Sequence, residues 1–361
     1  MKFRTIAIHL PQFHPFKEND EWWGKGFTEW TNVAKARPRF IGHYQPHIPA
    51  DLGFYDLRLP ETREQQAQMA KDAGIYGFCY YHYWFNGHQL MERPLEEILK
   101  SGKPDYPFML CWANENWTRA WDGGEKQILI KQDYSEEDDR NHIRFLIKNY
   151  FKDSRYICVD GKPVFCVYRY DLFPDIRKTI SIWREEAALE GLELYLCMFE
   201  SFKNTGMDGL QLGFDAAIEF QPHAMNQNGY NQRFVHIIRR GINRIFRPIL
   251  HGNLIPNMYS YKSYVNYVCK LLMPKYKRFP CITPGWDNTS RKKNNYMLFV
   301  KSTPEKYRTW LKHILDTFKP YSKDENFIFI NAWNEWAEGN HLEPDKKWGD
   351  SYLKETRSLL K

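Results

Sequence analysis

The sequence predicts an α/β fold: a single (β/α)8 TIM barrel over residues 1–361, with elaborated βα loops and one helical insertion. Three observations lead there. Short β-rich apolar runs recur eight times along the chain, helical patterns separate most of them, and nearly every run turns polar or aromatic at its C-terminal end.

The first run is TIAIHLP (5–11), followed by YGFCYYHYW (76–84), PFMLCWANE (107–115) and PVFCVYRY (163–170). LELYLCMFE (192–200), DAAIEFQP (215–222), PCITPGWDN (280–288) and FIFINAWNEW (327–336) complete the set. Between them, PETREQQAQMAKDAG (60–74) has Pro near its start and Gly at its end, the asymmetry of a helix. SEEDDRNHIRFLIKNYF (135–151), LFPDIRKTISIWREEAALEG (172–191) and STPEKYRTWLKHILDTF (302–318) also read as helices. Ser135 and Asp138 resemble a capping box with Asp in place of Glu. A doubly wound nucleotide-binding sheet would put a glycine-rich turn after strand one; HLPQFHP stands there instead. Two connections are too long for plain loops. Residues 11–60 read as a long loop over the barrel mouth, and 223–279 as a helical basic insertion.

Composition narrows the function. The chain holds 51 Lys+Arg against 44 Asp+Glu, for a net charge of +7, and part of the excess sits in FVHIIRRGINRIFRP (234–248) and SRKKNN (290–295). No nucleic-acid-binding signature accompanies those clusters, so the expected partners exclude nucleic acid. A solvated face, a phosphate-bearing or lipid-linked glycan, or an anionic membrane surface suits them better. The 7 Cys include no CxxC pair and lie mostly in apolar runs, which reads as reduced core thiols. No apolar run reaches the ~18 residues of a transmembrane segment. The expected location is cytoplasmic, or peripheral to the inner membrane.

Catalytic groups in such barrels gather at the C-terminal strand ends. Here those ends carry His9, Gln12 and His14, then Tyr81, His82 and Trp84, then Asn114, Glu115 and Trp117. Arg169, Glu200, Glu219 and Gln221 continue the rim, followed by Trp286 and Asp287, with Glu29 and Trp30 supplied by the first long loop. On the last run, alternation puts Ile328, Ile330 and Ala332 on one face and Asn331, Trp333 and Glu335 on the other. Glu338 follows after a turn, beside Asn334 and Trp336. Two carboxyls in one cleft acquire separated pKa values, the equipment of acid–base catalysis, and tryptophans offer platforms for a sugar ring. Glu335 and Glu338 are therefore the expected catalytic pair, and the other rim residues the expected sugar contacts. A structural reading competes, in which Glu338 pairs with a nearby Arg or Lys. His9, His14 and His82 lack HExxH or HxH spacing, so no metal is expected. Neither a GxSxG elbow, nor a P-loop, nor an Asp-x-Asp pair is present.

The segments HLPQFHPFKENDEWWGKGFTEWTNV (9–33), YGFCYYHYWF (76–85), CWANENWTRAWDG (111–123) and NAWNEWAEGNHLEPD (331–345) together resemble the WbsX family. Its members are labelled glycosyltransferase or lipopolysaccharide-biosynthesis proteins. The last segment is also similar to the NEWHEG-type motif of glycoside hydrolase family 99, the endo-α-mannosidases and endo-α-mannanases. That second resemblance implies a role for Glu335 in deprotonating a sugar 2-hydroxyl and for Glu338 as general acid/base. The reaction would retain configuration through a 1,2-anhydro sugar, which favours a manno-configured hexose. Ala337 departs from the His of those hydrolases. The expectation is a glycoside hydrolase or transglycosylase acting on a bacterial polysaccharide, without cofactor. A glycosyltransferase of surface-polysaccharide (O-antigen or capsule) biosynthesis and a non-catalytic carbohydrate-binding protein remain the alternatives.

Overall fold

The computed structural model describes residues 2–119, 124–202, 204–226, 228–232, 234–250, 256–292 and 296–361. Parallel strands form the barrel: β1 (Arg4–His9), β2 (Gly77–Phe85), β3 (Phe108–Trp112), β4 (Lys162–Val167), β5 (Tyr195–Glu200) and β6 (Ala216–Glu219). Then come β7, split by Pro280 into Arg278–Phe279 and Cys281–Ile282, and β8 (Phe327–Ile330). Pro280 has no N–H to give a ladder, which accounts for the split. The first half of β7 pairs with β6 and the second with β8, while β8 pairs with β1, so the ring comes round on itself.

All eight expected strands exist, but several end early. The last run stops at Ile330 instead of 336, and the third at Trp112 instead of 115. Their polar tails lie outside the barrel sheet.

Helices cover the outside. Pro60–Asp72 follows the first long connection, with Pro at its first turn. Glu136–Leu146 starts at Ser135, whose side chain accepts from Asp138 N at 3.1 Å. The other half of that capping box is absent: the Asp138 carboxylate accepts from Trp84 Nε1 at 2.9 Å. Ile176–Leu189 and Pro304–Thr317 are capped in the same way by Asp175 and Thr303.

Alternation sorts each strand into an interior and a helix-facing side. The free thiol of Cys79 on β2 is in hydrogen-bond contact with that of Cys166 on β4, and Phe199 of β5 meets Phe329 of β8 at 6.0 Å. Non-neighbouring strands can touch only across the barrel interior, so these side chains point inward. Tyr80, His82 and Trp84 then point outward, to the helices.

Candidate active site

After β8 the chain crosses the barrel mouth and forms a small antiparallel ladder, with Asn334 opposite His341 and Glu335 opposite Asn340. Its tip is a single 3-10 turn, Trp336–Glu338, closed by Gly339 at φ +55. Asn334 ties this hairpin to the end of β1: it accepts from Leu10 N at 2.7 Å and donates to Leu10 O at 3.0 Å. The turn brings Glu335 and Glu338 to the same guanidinium.

That guanidinium belongs to Arg291, on the loop after β7. Asp287 organises the loop by accepting from Thr289 N at 3.0 Å, while its second oxygen accepts from His43 Nε2 at 2.6 Å. Asp287 N donates to Glu338 O, and Ser290 Oγ donates to Ala337 O, so loop and hairpin are laced together. Arg291 then donates from Nη1 to Glu338 Oε1 at 2.8 Å and from Nη2 to Glu335 Oε2 at 3.2 Å. Its Nε reaches a third acid, Glu29 Oε1, at 2.8 Å. Glu29 opens the short helix Glu29–Lys35, and its N–H donates to Gln12 O at 3.1 Å.

Three carboxylates share one guanidinium, and Glu29 and Arg291 are almost wholly out of water. Negative charge is in excess where the dielectric is low, so protons are retained. Burial pushes the Glu335 carboxyl up to about 8, against the pull of Arg291 and with help from Glu338 and Glu29. Burial also raises Glu338, opposed by Arg291. The same three acids hold Arg291 firmly in its charged form against its own desolvation. Buried, interacting carboxyls that both hold their protons above the ordinary range are groups of the kind acid–base catalysis uses. Glu338 retains 20 % side-chain exposure and Glu335 8 %, so the face of the cluster that meets solvent is that of Glu338.

Aromatic side chains stand around the acids. Tyr81 and Tyr83, on the inward side of β2, lie in the field of Glu335, and Tyr168, just past β4, in that of Glu338. All three are half-buried. Trp117 extends this wall, with its ring 5.2 Å from Tyr83 and 5.9 Å from Trp22. Glu115 stands nearby, bonded to Arg169 at 2.6 Å.

Several expected sugar contacts sit elsewhere. His9 bonds Gln66 of the first barrel helix at 3.2 Å, and His82 bonds His142 at 2.9 Å, both in the layer between sheet and helices. Trp84 is held there by Asp138. Glu200 and Glu219 also face outward and are taken up by Arg278, at 3.0 and 3.6 Å. Gln221 accepts from Tyr264 at 2.7 Å. Each lies at a strand end on the parity that points away from the barrel axis.

A second group holds the loops together. Trp30 donates to Tyr55 O, Asn114 clamps Arg169 through both its amide groups, and His14 is buried against Pro11 O. Gln12 is buried, with its carbonyl spent on Glu29. Trp336 stacks on His341 at 3.7 Å and donates to Glu343 Oε2 at 2.6 Å. Trp333 packs on Phe78 in the outer layer, because alternation does not carry past Ile330. Trp286 and Asp287 border a cleft of about 410 Å³ beyond Gly339.

Sequence reasoning missed Arg291, Tyr83, Tyr168 and Glu343. Arg291 was hidden in a basic cluster read as a surface feature. Tyr83 and Tyr168 follow from alternation once Cys79 and Cys166 are known to face inward. Glu343 accepts from Gln66, Tyr55 and Trp336, and burial pushes its carboxyl up to about 7. Among the described residues, one group has ligand atoms spaced for a metal: His47, His341 and Asp345, within 4.8 Å of one another in the cleft beyond Gly339. None of the three belongs to the Arg291 cluster.

Known proteins share both the sequence pattern and the fold of this chain. The sequence pattern of the glycosyltransferase WbsX family matches residues 5–356, and the chain belongs to that family. It is 38 % identical over 357 residues to WxcX of Xanthomonas campestris pv. campestris, in strains B100 and ATCC 33913 alike. The match takes in 98 % of this chain and 49 % of WxcX, so the chain spans about half the length of the curated relatives it matches. Among solved structures, a glycoside hydrolase-like protein superimposes with a TM-score of 0.61 at 15 % identity, covering 99 % of this chain and 94 % of that one. The GH99 endo-alpha-mannosidase from Bacteroides thetaiotaomicron gives 0.57 at 14 % identity, covering 99 % and 96 %. At such identities the likeness is one of fold. Among the described residues, no helix is long and apolar enough to cross a membrane.

Proposed function

We propose that this protein makes or breaks glycosidic bonds, with Glu335 and Glu338 as its acid–base pair and a manno-configured or related hexose beside them. The observation that carries the reading is the Arg291 cluster: buried acids in excess over their counter-charge, retaining a proton at the mouth of a barrel. Tyr81, Tyr83, Tyr168 and Trp117 supply the stacking and hydroxyl contacts a pyranose needs. Arg291 holds both acids in place and limits how far each pKa rises. Participation of the sugar's 2-hydroxyl would make the reaction retaining, with neither acid attacking carbon.

The charges of the free site bear on who does what. Arg291 lies nearer Glu338 than Glu335, and burial pushes the Glu335 carboxyl up to about 8. Glu335 as acid and Glu338 as base fits that state directly. The reverse order, implied by the family 99 motif, requires the proton to redistribute when the sugar binds. Screening the purified protein against defined α-manno-oligosaccharides, with product anomers read by NMR, tests the reading. Retained configuration supports it, and inversion overturns the 2-hydroxyl route.

Glycosyl transfer from an activated donor is the second reading, favoured by the family to which the chain belongs. Calorimetry with nucleoside diphosphates separates the two. Tight binding, displaced by a bound oligosaccharide, would make the mouth a donor site.

A further inference from the structure

Over residues 235–245 the helix Phe234–Leu250 is built the wrong way round for a helix in water. Among its described side chains the buried ones are polar: His236, Arg239 and Asn243, three and four residues apart on one side. Arg239 is spent inward, donating to Met258 O at 3.2 Å and to the hydroxyl of Tyr259. The opposite side is apolar and in solvent: Ile238 and Ile245, seven apart, form one stripe with Ile237 beside it, and Ile245 is 68 % exposed. Arg240 and Arg244, four apart and exposed, border that stripe, and the segment FVHIIRRGINRIFRPIL contains no acidic residue.

A second run repeats the pattern. In KLLMPKYK (270–277), Leu271, Leu272 and Met273 are exposed, Leu272 at 92 %, with Lys270 and Lys275 on either side. The two runs are structurally joined: Tyr230 meets His236 at 5.0 Å and Tyr267 at 5.1 Å, which ties the start of the long helix to the helix preceding the second run. Both lie in the connection after β6, and so issue from the end of the barrel that carries the acids.

We infer that this surface docks on an anionic lipid bilayer, with the isoleucine and leucine side chains in the headgroup–acyl boundary and the arginines and lysines on lipid phosphates. Apolar side chains presented to solvent beside basic ones, with no acid among them, match such an interface in both chemistry and charge. A free phosphate ligand would explain the arginines but not the isoleucines. A second copy of the chain would meet the same positive charge. The helix lies along the surface: its 17 residues include Arg239, Arg240, Arg244 and Arg247, too many for a span.

Co-sedimentation of the full chain with vesicles tests the inference, using phosphatidylcholine alone and phosphatidylcholine mixed with phosphatidylglycerol. The protein is expected to pellet with the anionic vesicles, less so in high salt. The double variant I238N/I245N is expected to weaken partitioning about tenfold or more, and R240E/R244E to abolish the preference for anionic lipid. All four side chains are exposed, so circular dichroism should show both variants folded. Partitioning indifferent to I238N/I245N would overturn the inference. So would loss of binding in millimolar inorganic phosphate at constant ionic strength, or self-association in lipid-free solution that I238N/I245N removes.

Discussion

Arg291 sets the behaviour of the site at the scale of single residues. Without it, three buried carboxyls face one another with no counter-charge from that side chain, and R291A should cost about 3–5 kcal/mol near pH 8. The deficit should shrink in urea titrations near pH 5, where Glu335 and Glu338 can protonate. R291K restores the charge but not the fork that reaches three acceptors, so partial recovery is expected. Glu335 gives the opposite sign. Its folded pKa is about 8 against an ordinary value of 4.5, so the folded protein binds the extra proton between those limits. Its stability therefore falls as pH rises through that window. E335Q should stabilise the protein by about 1–3 kcal/mol at pH 8.5 and leave it unchanged near pH 4.5, with turnover lost. Equal stability of E335Q and the parent at both pH values would mean that Glu335 ionises normally.

At the scale of elements, the hairpin of residues 334–341 and the loop of residues 287–291 hold one another in register. Gly339 is where they touch. Its φ of +55 disfavours a side chain, and a Cβ there would lie 2.9 Å from Asp287 Cβ. G339A should cost about 1–3 kcal/mol in thermal or urea unfolding, and should lower kcat more than it raises KM. An unchanged kcat would show that the contact between Asp287 and Glu338 does not position the acid. This scale also marks where the sequence was legible and where it was not. Every barrel strand could be read from its apolar run, because burial on both faces leaves a plain signal. Which strand-end polar residue points to the axis could not be read by position alone. His9, Glu200 and Glu219 stand at rims yet face the helices, one residue out of phase with Cys79, Phe199 and Phe329. The reach of β8 was overestimated because Asn334–Glu335 is a real strand, but one in a different ladder. Arg291 was illegible for a simpler reason: its partners are 262, 44 and 47 residues away, and nothing local distinguishes a buried arginine from the lysines beside it.

For the molecule as a whole, the barrel contributes a ring whose inner wall is apolar and sulfur-rich, and its loops carry the Arg291 cluster. If Glu335 is the acid, kcat/KM should decline as pH rises through about 8, since the productive proton is then lost. An alkaline limb that persists in a variant with Glu335 intact but Glu338 replaced would assign it to Glu335. The most direct check on the central claim is a side-by-side measurement of turnover and glycan affinity in E338Q, with the oligosaccharide or donor that the parent protein turns over. The account predicts that turnover falls by about a thousandfold or more while affinity changes only a few-fold. Turnover and affinity lost together, or neither lost, would make the carboxylate cluster a structural ion pair and would contradict the account.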